Sequence, residues 1–178
     1  WGNFYHQCRV PNTLLGTPKM GHLGAGLGQA IGGAVARPDK QTYCIIGDGA
    51  FGFHPQEVET AVRHGLKIIF LVVCDRQWGM VKMTQCMAAR PLKMILLKRL
   101  DKDEYINGDL GDVAWDKVAQ AMGAHGERVS HPDELKPAIH RCLEADTASV
   151  IQVDVDQAKH LWAPGLMYFK DMHQEPEG

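Results

Sequence analysis

The sequence predicts an α/β protein: a doubly wound, mostly parallel sheet with helices on both faces. Three observations carry this reading. Thr42 to Ile46 is a run of apolar and β-favouring residues that ends at Gly47-Asp48-Gly49, and Leu66 to Val73 is a second that ends at Cys74-Asp75. Between them His54-Pro55 opens an amphipathic stretch, Gln56 to His64, which Gly65 closes. Strand, glycine turn, helix, strand is a βαβ unit. Helix-spaced segments then go on alternating with apolar runs, the pattern of a parallel sheet.

In order along the chain, residues 1 to 20 read as loop, with Trp1, Phe4 and Tyr5 early and Pro11 and Pro18 later. Gly2-Asn3 is a weak candidate for a second ligand turn. Gly21 to Ala36 (GHLGAGLGQAIGGAVA) predicts a loop entering a helix of small residues. Each glycine costs such a helix roughly 1 kcal/mol against alanine. The segment therefore makes sense only against a close neighbour, a sheet or a ligand. The dinucleotide fingerprint GxGxxG fails in both frames, because Gln29 and Ile31 stand where the last glycine is needed.

Arg37-Pro38-Asp39-Lys40 is a turn into the βαβ unit. Arg76 to Met80 turns the chain again, and a helix is expected from about Val81. Ala88 to Gly111, with Pro91 and a charge cluster ending at Glu104, reads as a partly exposed connection. Asp112 to Met122 is helix-spaced, with Asp112 as N-cap, and Ala124 to Val129 is a short strand. Ser130-His131-Pro132-Asp133-Glu134 starts a capped helix that runs to about Ala145, and Ser149 to Val155 is a final buried strand. Residues 1–155 thus read as one domain lacking its first strand, and residues 156–178 as a C-terminal arm or lid.

Composition narrows the class. At 178 residues the chain can bury a sizeable core. Its net charge of −2 gives no basic surface for nucleic acid. No apolar run is long enough to cross a membrane, and none has the pattern of a signal peptide. The five cysteines lack CxxC spacing and read as reduced, cytoplasmic thiols. The chain begins at Trp1, so it reads as a processed piece or part of a longer protein.

The chemistry gathers at the strand ends. Asp48 and Asp75, 27 residues apart, each follow a strand, and ligands in open α/β sheets collect at the carboxyl ends. Two carboxylates beside glycine-freed N–H groups suit a hard divalent cation holding a phosphate. With Trp78-Gly79-Met80 after Asp75, and GHLGAGLG before Asp48, the pattern resembles the diphosphate-binding domain of thiamine diphosphate enzymes. The resemblance spans Gly21 to Asp154 and is nearest to the acetolactate synthase, pyruvate oxidase and benzoylformate decarboxylase group.

That resemblance implies a site. Asp48 and Asp75 would ligate Mg²⁺ through their carboxylates and Gln77 through its backbone carbonyl. Gly47 belongs to the same turn, and the N–H groups of Gly49, Ala50, Gly79 and Met80 would hold the diphosphate. Leu23 would wedge thiamine diphosphate into its bent form, and Phe53 would line the pocket. His6, His22 and His54 read as structural. Two positions depart from the family: Asp75 stands where Asn is usual, and Ala50 where Ser is common.

The resemblance further implies a 2-oxo acid decarboxylase or carboligase of acetolactate synthase type, active only with a pyrimidine-binding domain or subunit whose glutamate activates the cofactor. It implies a homodimer or tetramer, and FAD on a separate middle domain in the synthase and oxidase branches. The rival readings are another thiamine diphosphate enzyme (lyase, oxidase, or sulfo- or phosphonopyruvate decarboxylase subunit) and a non-catalytic module whose cofactor site has decayed. No catalytic residue is expected in this chain itself.

Overall fold

A computed structural model describes residues 7–16, 21–89, 91–97 and 105–157. Its elements are α1 (Ala25–Ala36), β1 (Thr42–Gly47), α2 (Asp48–Phe51), α3 (Glu57–Arg63), β2 (Ile68–Cys74), α4 (Gly79–Ala89), α5 (Pro91–Leu97), α6 (Trp115–Ala121), β3 (His125–Val129), α7 (Pro132–Glu144) and β4 (Ser149–Asp154). The strand order is β1-β2-β4-β3, and every pairing is parallel.

Helices cover both faces, as the alternation of elements predicts. On one face Leu27 of α1, Phe51 of α2, Val58 of α3 and Ala119 of α6 pack on Ile46, Phe70, Val72 and Val150. On the other, Ala138 and Cys142 of α7 pack on Ile69, Val129 and Ile151. β2 lies between two strands and under both layers, which is why its sequence is unbroken apolar rather than alternating. One glycine of α1 has the expected neighbour: a Cβ at Gly26 would meet Ile46 at 3.3 Å, whereas Gly28 and Gly32 have nothing within 4 Å. The helix lies close against β1, so the neighbour is the sheet.

The capped start of α7 forms as expected. His131 is the N-cap, and the Glu134 carboxylate accepts from the backbone N–H groups of Ser130 and His131, both at 3.0 Å. The expected N-cap at Asp112 does not form. α6 begins at Trp115, with Ala114 before it and no side-chain cap. Asp112 instead lies 3.8 Å from Arg76 and 3.6 Å from Arg128, and the helix-start N–H of Trp115 is met by Gln152 Oε1 at 2.8 Å. α4 starts at Gly79, two residues before the expected Val81. The partly exposed connection from Ala88 holds the end of α4 and all of α5, with Leu92, Leu96 and Leu97 exposed, and its last part, 105–110, packs against Gln77. Gly2, Asn3, His6, the core of the charge cluster (98–104) and the arm beyond Gln157 lie outside the described residues.

One ion pair fastens α7 to the sheet. Glu127 of β3 accepts from Arg141 Nε at 2.9 Å and lies 2.8 Å from His125 Nε2. The Arg141 guanidinium holds its carboxyl below the usual 4.5. A lowered folded pKa gives stability that is present above the unfolded value and lost as pH falls through the folded one. Glu127→Gln is therefore expected to cost about 0.5–1 kcal/mol at neutral pH, since Arg141 is half exposed. Melting curves of both proteins should converge as pH falls through the lowered folded value of the Glu127 carboxyl; a gap unchanged by pH would refute the charge-based account.

Candidate functional site

Parallel pairing builds the site. Gly47 sits opposite Val73, so β1 and β2 end on the same edge of the sheet, and Asp48 and Asp75 both follow there. Asp48 opens the single turn α2 and is 5 % exposed. Its Oδ1 accepts from Gly49 N–H and its Oδ2 from Arg76 N–H, each at 2.9 Å. The second bond stitches the loop after β2 to the loop after β1. Arg76 is held at φ 55°, a left-handed conformation uncommon outside glycine, at the residue that makes this stitch.

Asp75, 8 % exposed, accepts from Gln77 N–H at 3.3 Å and from Gln77 Nε2 at 3.0 Å. Burial, and then the Asp75 charge beside it, push Asp48 up to about 6, against the pull of its two N–H donors. Two buried carboxylates that resist being charged together are short of positive charge. A hard divalent cation would supply it.

Around the carboxylates stand the other expected residues. Gly49 leaves room for Trp78, whose ring would lie 2.8 Å from a Cβ there. The Phe53 ring meets Trp78 edge-on, with centroids 5.9 Å apart. A Cβ on Gly24 would strike Phe53 and His54, so the loop carrying Leu23 runs beside them. Leu23 and Phe53 are both about half exposed, at 49 % and 51 %, apolar side chains facing outward rather than plain core. Gly79 and Met80 open α4, while Ala50 packs partly into the core. The Gly49 N–H, expected to face a diphosphate, is turned to Asp48 here.

Sequence reasoning missed Lys82, Tyr105 and Asp109, which close the far side of Gln77. Lys82 is 3 % exposed and donates to Gln77 Oε1 at 2.8 Å and to Asp109 Oδ1 at 2.7 Å. A lysine inside a helix that starts at the site was the only signal in the sequence. None of the cysteines is in a disulfide, and burial pushes Cys44 and Cys142 up to about 11, which leaves those two poor nucleophiles.

Comparison with known proteins decides the family. The family model described as "Thiamine pyrophosphate enzyme, C-terminal TPP binding domain" matches residues 1–153. The chain belongs to this family. It is 33 % identical over 148 residues to a probable acetolactate synthase of Mycobacterium bovis, covering 83 % of this chain and 25 % of that one. It is 30 % identical over 161 residues to acetolactate synthase of Bacillus subtilis, covering 90 % and 26 %. A solved structure, benzoylformate decarboxylase from Polynucleobacter necessarius, superposes with a TM-score of 0.62 at 25 % identity, over 78 % of this chain and 24 % of that one. The chain of this thiamine pyrophosphate domain thus spans about a quarter of the length of the curated relatives it matches. Its parallel sheet and two helical layers agree with that fold. Among the described residues no helix is long and apolar enough to cross a membrane.

Proposed function

We propose that this chain binds thiamine diphosphate together with Mg²⁺, as the diphosphate-holding domain of a 2-oxo acid decarboxylase or carboligase of acetolactate synthase type. The observation that carries the reading is the buried Asp48–Asp75 pair on one sheet edge, in a chain of this family. Oxygen donors with a deficit of positive charge fit Mg²⁺. Asp48, Asp75 and the Gln77 carbonyl would hold the metal. Glycine-rich turns and the start of α4, at Gly79 and Met80, would face the diphosphate. When bound, the cofactor supplies a nucleophilic carbon and an electron sink for loss of CO₂ from a 2-oxo acid.

What this chain itself does is bind and orient. Asp48 fixes both loops through two N–H bonds, and Leu23, Phe53 and Trp78 offer apolar surface that keeps water from the bound cofactor. The activating glutamate is assigned to a pyrimidine-binding domain or subunit, met in a homodimer or tetramer in the cytoplasm, with FAD on a further domain in the synthase branch.

The test is to assay the full-length protein with Mg²⁺, thiamine diphosphate and a panel of pyruvate, pyruvate with a second 2-oxo acid, benzoylformate and sulfoacetaldehyde. CO₂ release with a coupled product is expected from pyruvate, and no appreciable turnover from residues 1–178 alone. Turnover of benzoylformate without coupling would move the assignment to a lyase. Turnover by the isolated chain would overturn the need for a second domain.

A further inference from the structure

The side of Gln77 away from Asp75 is built around a lysine that binding of a metal and a diphosphate does not explain. Lys82 carries a positive charge into a nearly closed place, 3 % exposed, five residues after Gln77. Burial works against its charge, yet bonds to Asp109 and Tyr105 raise its pKa all the same. Nζ lies 4.0 Å from the centre of the Tyr105 ring, and the Tyr105 hydroxyl donates to Asp109 Oδ2 at 3.1 Å. The segment that covers it is shaped to it. A Cβ at Gly108 would fall 2.2 Å from Lys82 Cγ, so the stem passes directly over that glycine. Asp109 pairs with Gln77 as an isolated antiparallel bridge, and Trp78 N–H donates to Gly108 C=O at 2.8 Å.

Between Lys82 and Asp75 stands one amide, and its orientation is forced from both ends. An ammonium has only hydrogens to give, so it takes the oxygen of Gln77. An ionised carboxylate has only lone pairs, so it takes the nitrogen. The same nitrogen also donates to the Gln157 carbonyl. An asparagine at 75 would break this chain of donors and acceptors. One of its two atoms would be NH₂, facing either Gln77 Nε2 or Gln77 N–H, a donor against a donor. The sequence carries aspartate at 75 and lysine at 82, and each suits the other.

We propose that Lys82 is a positioning residue matched to Asp75, fixing through the Gln77 amide the orientation in which Asp75 joins Asp48 in holding the Mg²⁺–diphosphate. The inference rests on the cofactor reading above and adds to it the reason this chain bears a second carboxylate. Lys82 would act through Gln77, its contacts being Gln77, Asp109 and Tyr105.

A double-mutant cycle on the full-length protein tests it, using Asp75→Asn, Lys82→Met and both together. Two readouts are taken: calorimetric affinity for thiamine diphosphate in the presence of Mg²⁺, and thermal melting without cofactor. Each single change is expected to weaken binding by about tenfold, the consequence of leaving one buried polar group mispaired. In the double variant Gln77 is free to turn, so the combined loss should be at least about fivefold smaller than the product of the two. The shifts in melting temperature should be less than additive in the same sense. Losses that multiply and shifts that add would overturn the matched pair, leaving Lys82 an ordinary structural residue. Failure of the parent to bind the cofactor would overturn the functional reading instead, and the melting cycle would then decide the pairing by itself.

Discussion

Asp48→Ala in the full-length protein is expected to abolish Mg²⁺-dependent binding of thiamine diphosphate, weakening it by about 100-fold or more. Two losses act together. The variant removes a carboxylate from the proposed metal site, which would have few ligands from the protein. It also removes the acceptor that ties Gly49 and Arg76 to one point, so the loops after β1 and β2 lose their shared anchor. Calorimetric titration of parent and variant, each with and without Mg²⁺, reads both effects. An affinity that survives the change, or that never depended on Mg²⁺, would move the metal away from this strand end. A well-folded parent that binds nothing would favour the reading of a decayed module.

The largest effect on stability is expected at Gly126 in β3. A Cβ there would lie 2.1 Å from the backbone oxygen of Asp116 and 3.0 Å from Gln120 Cγ. The obstacle at 2.1 Å is helix backbone, not the end of a flexible side chain. The Gln120 amide also donates to Gly126 C=O at 2.8 Å, holding α6 down on the strand. Gly126→Ala must therefore lift α6 from the sheet, carrying Trp115 and Ala119 away from the larger core, and is expected to cost about 2–4 kcal/mol. Gly28→Ala is the control. Its site is exposed, with nothing within 4 Å, and lies inside α1, so the change should be neutral or stabilising by up to about 1 kcal/mol. Denaturant midpoints for the three proteins test this contrast. Equal stabilities would contradict the close approach of α6 to β3.

The two positions differ in how visible they were beforehand. The run of glycines in Gly21 to Ala36 announced a tight contact, which the structure places at Gly24 and Gly26, while Gly28 and Gly32 face open space. Gly126 announced nothing. A single glycine in a short strand has no local signature, and its neighbour Asp116 comes from a helix whose seat on the strand is a tertiary fact.

What the sequence by itself determined is what local order controls. Unbroken apolar runs and helical spacing, with turns at Gly47 and Gly65, marked the strands, most of the helices and the parallel class. The strand-end positions of Asp48 and Asp75 marked the place of the candidate site, since parallel strands put such ends on one edge. Only the tertiary structure decided the strand order β1-β2-β4-β3, which places β4 between β2 and β3. It also decided that the first N–H of α6, on Trp115, is met by Gln152 of β4 rather than by a cap at Asp112, because packing on the sheet brings that amide to the helix end. Lys82 belongs to the same class. Its meaning depends on Asp109, 27 residues later, and on an amide between it and Asp75. Hydrogen-bond complementarity between segments is fixed by packing, and no window of sequence contains it.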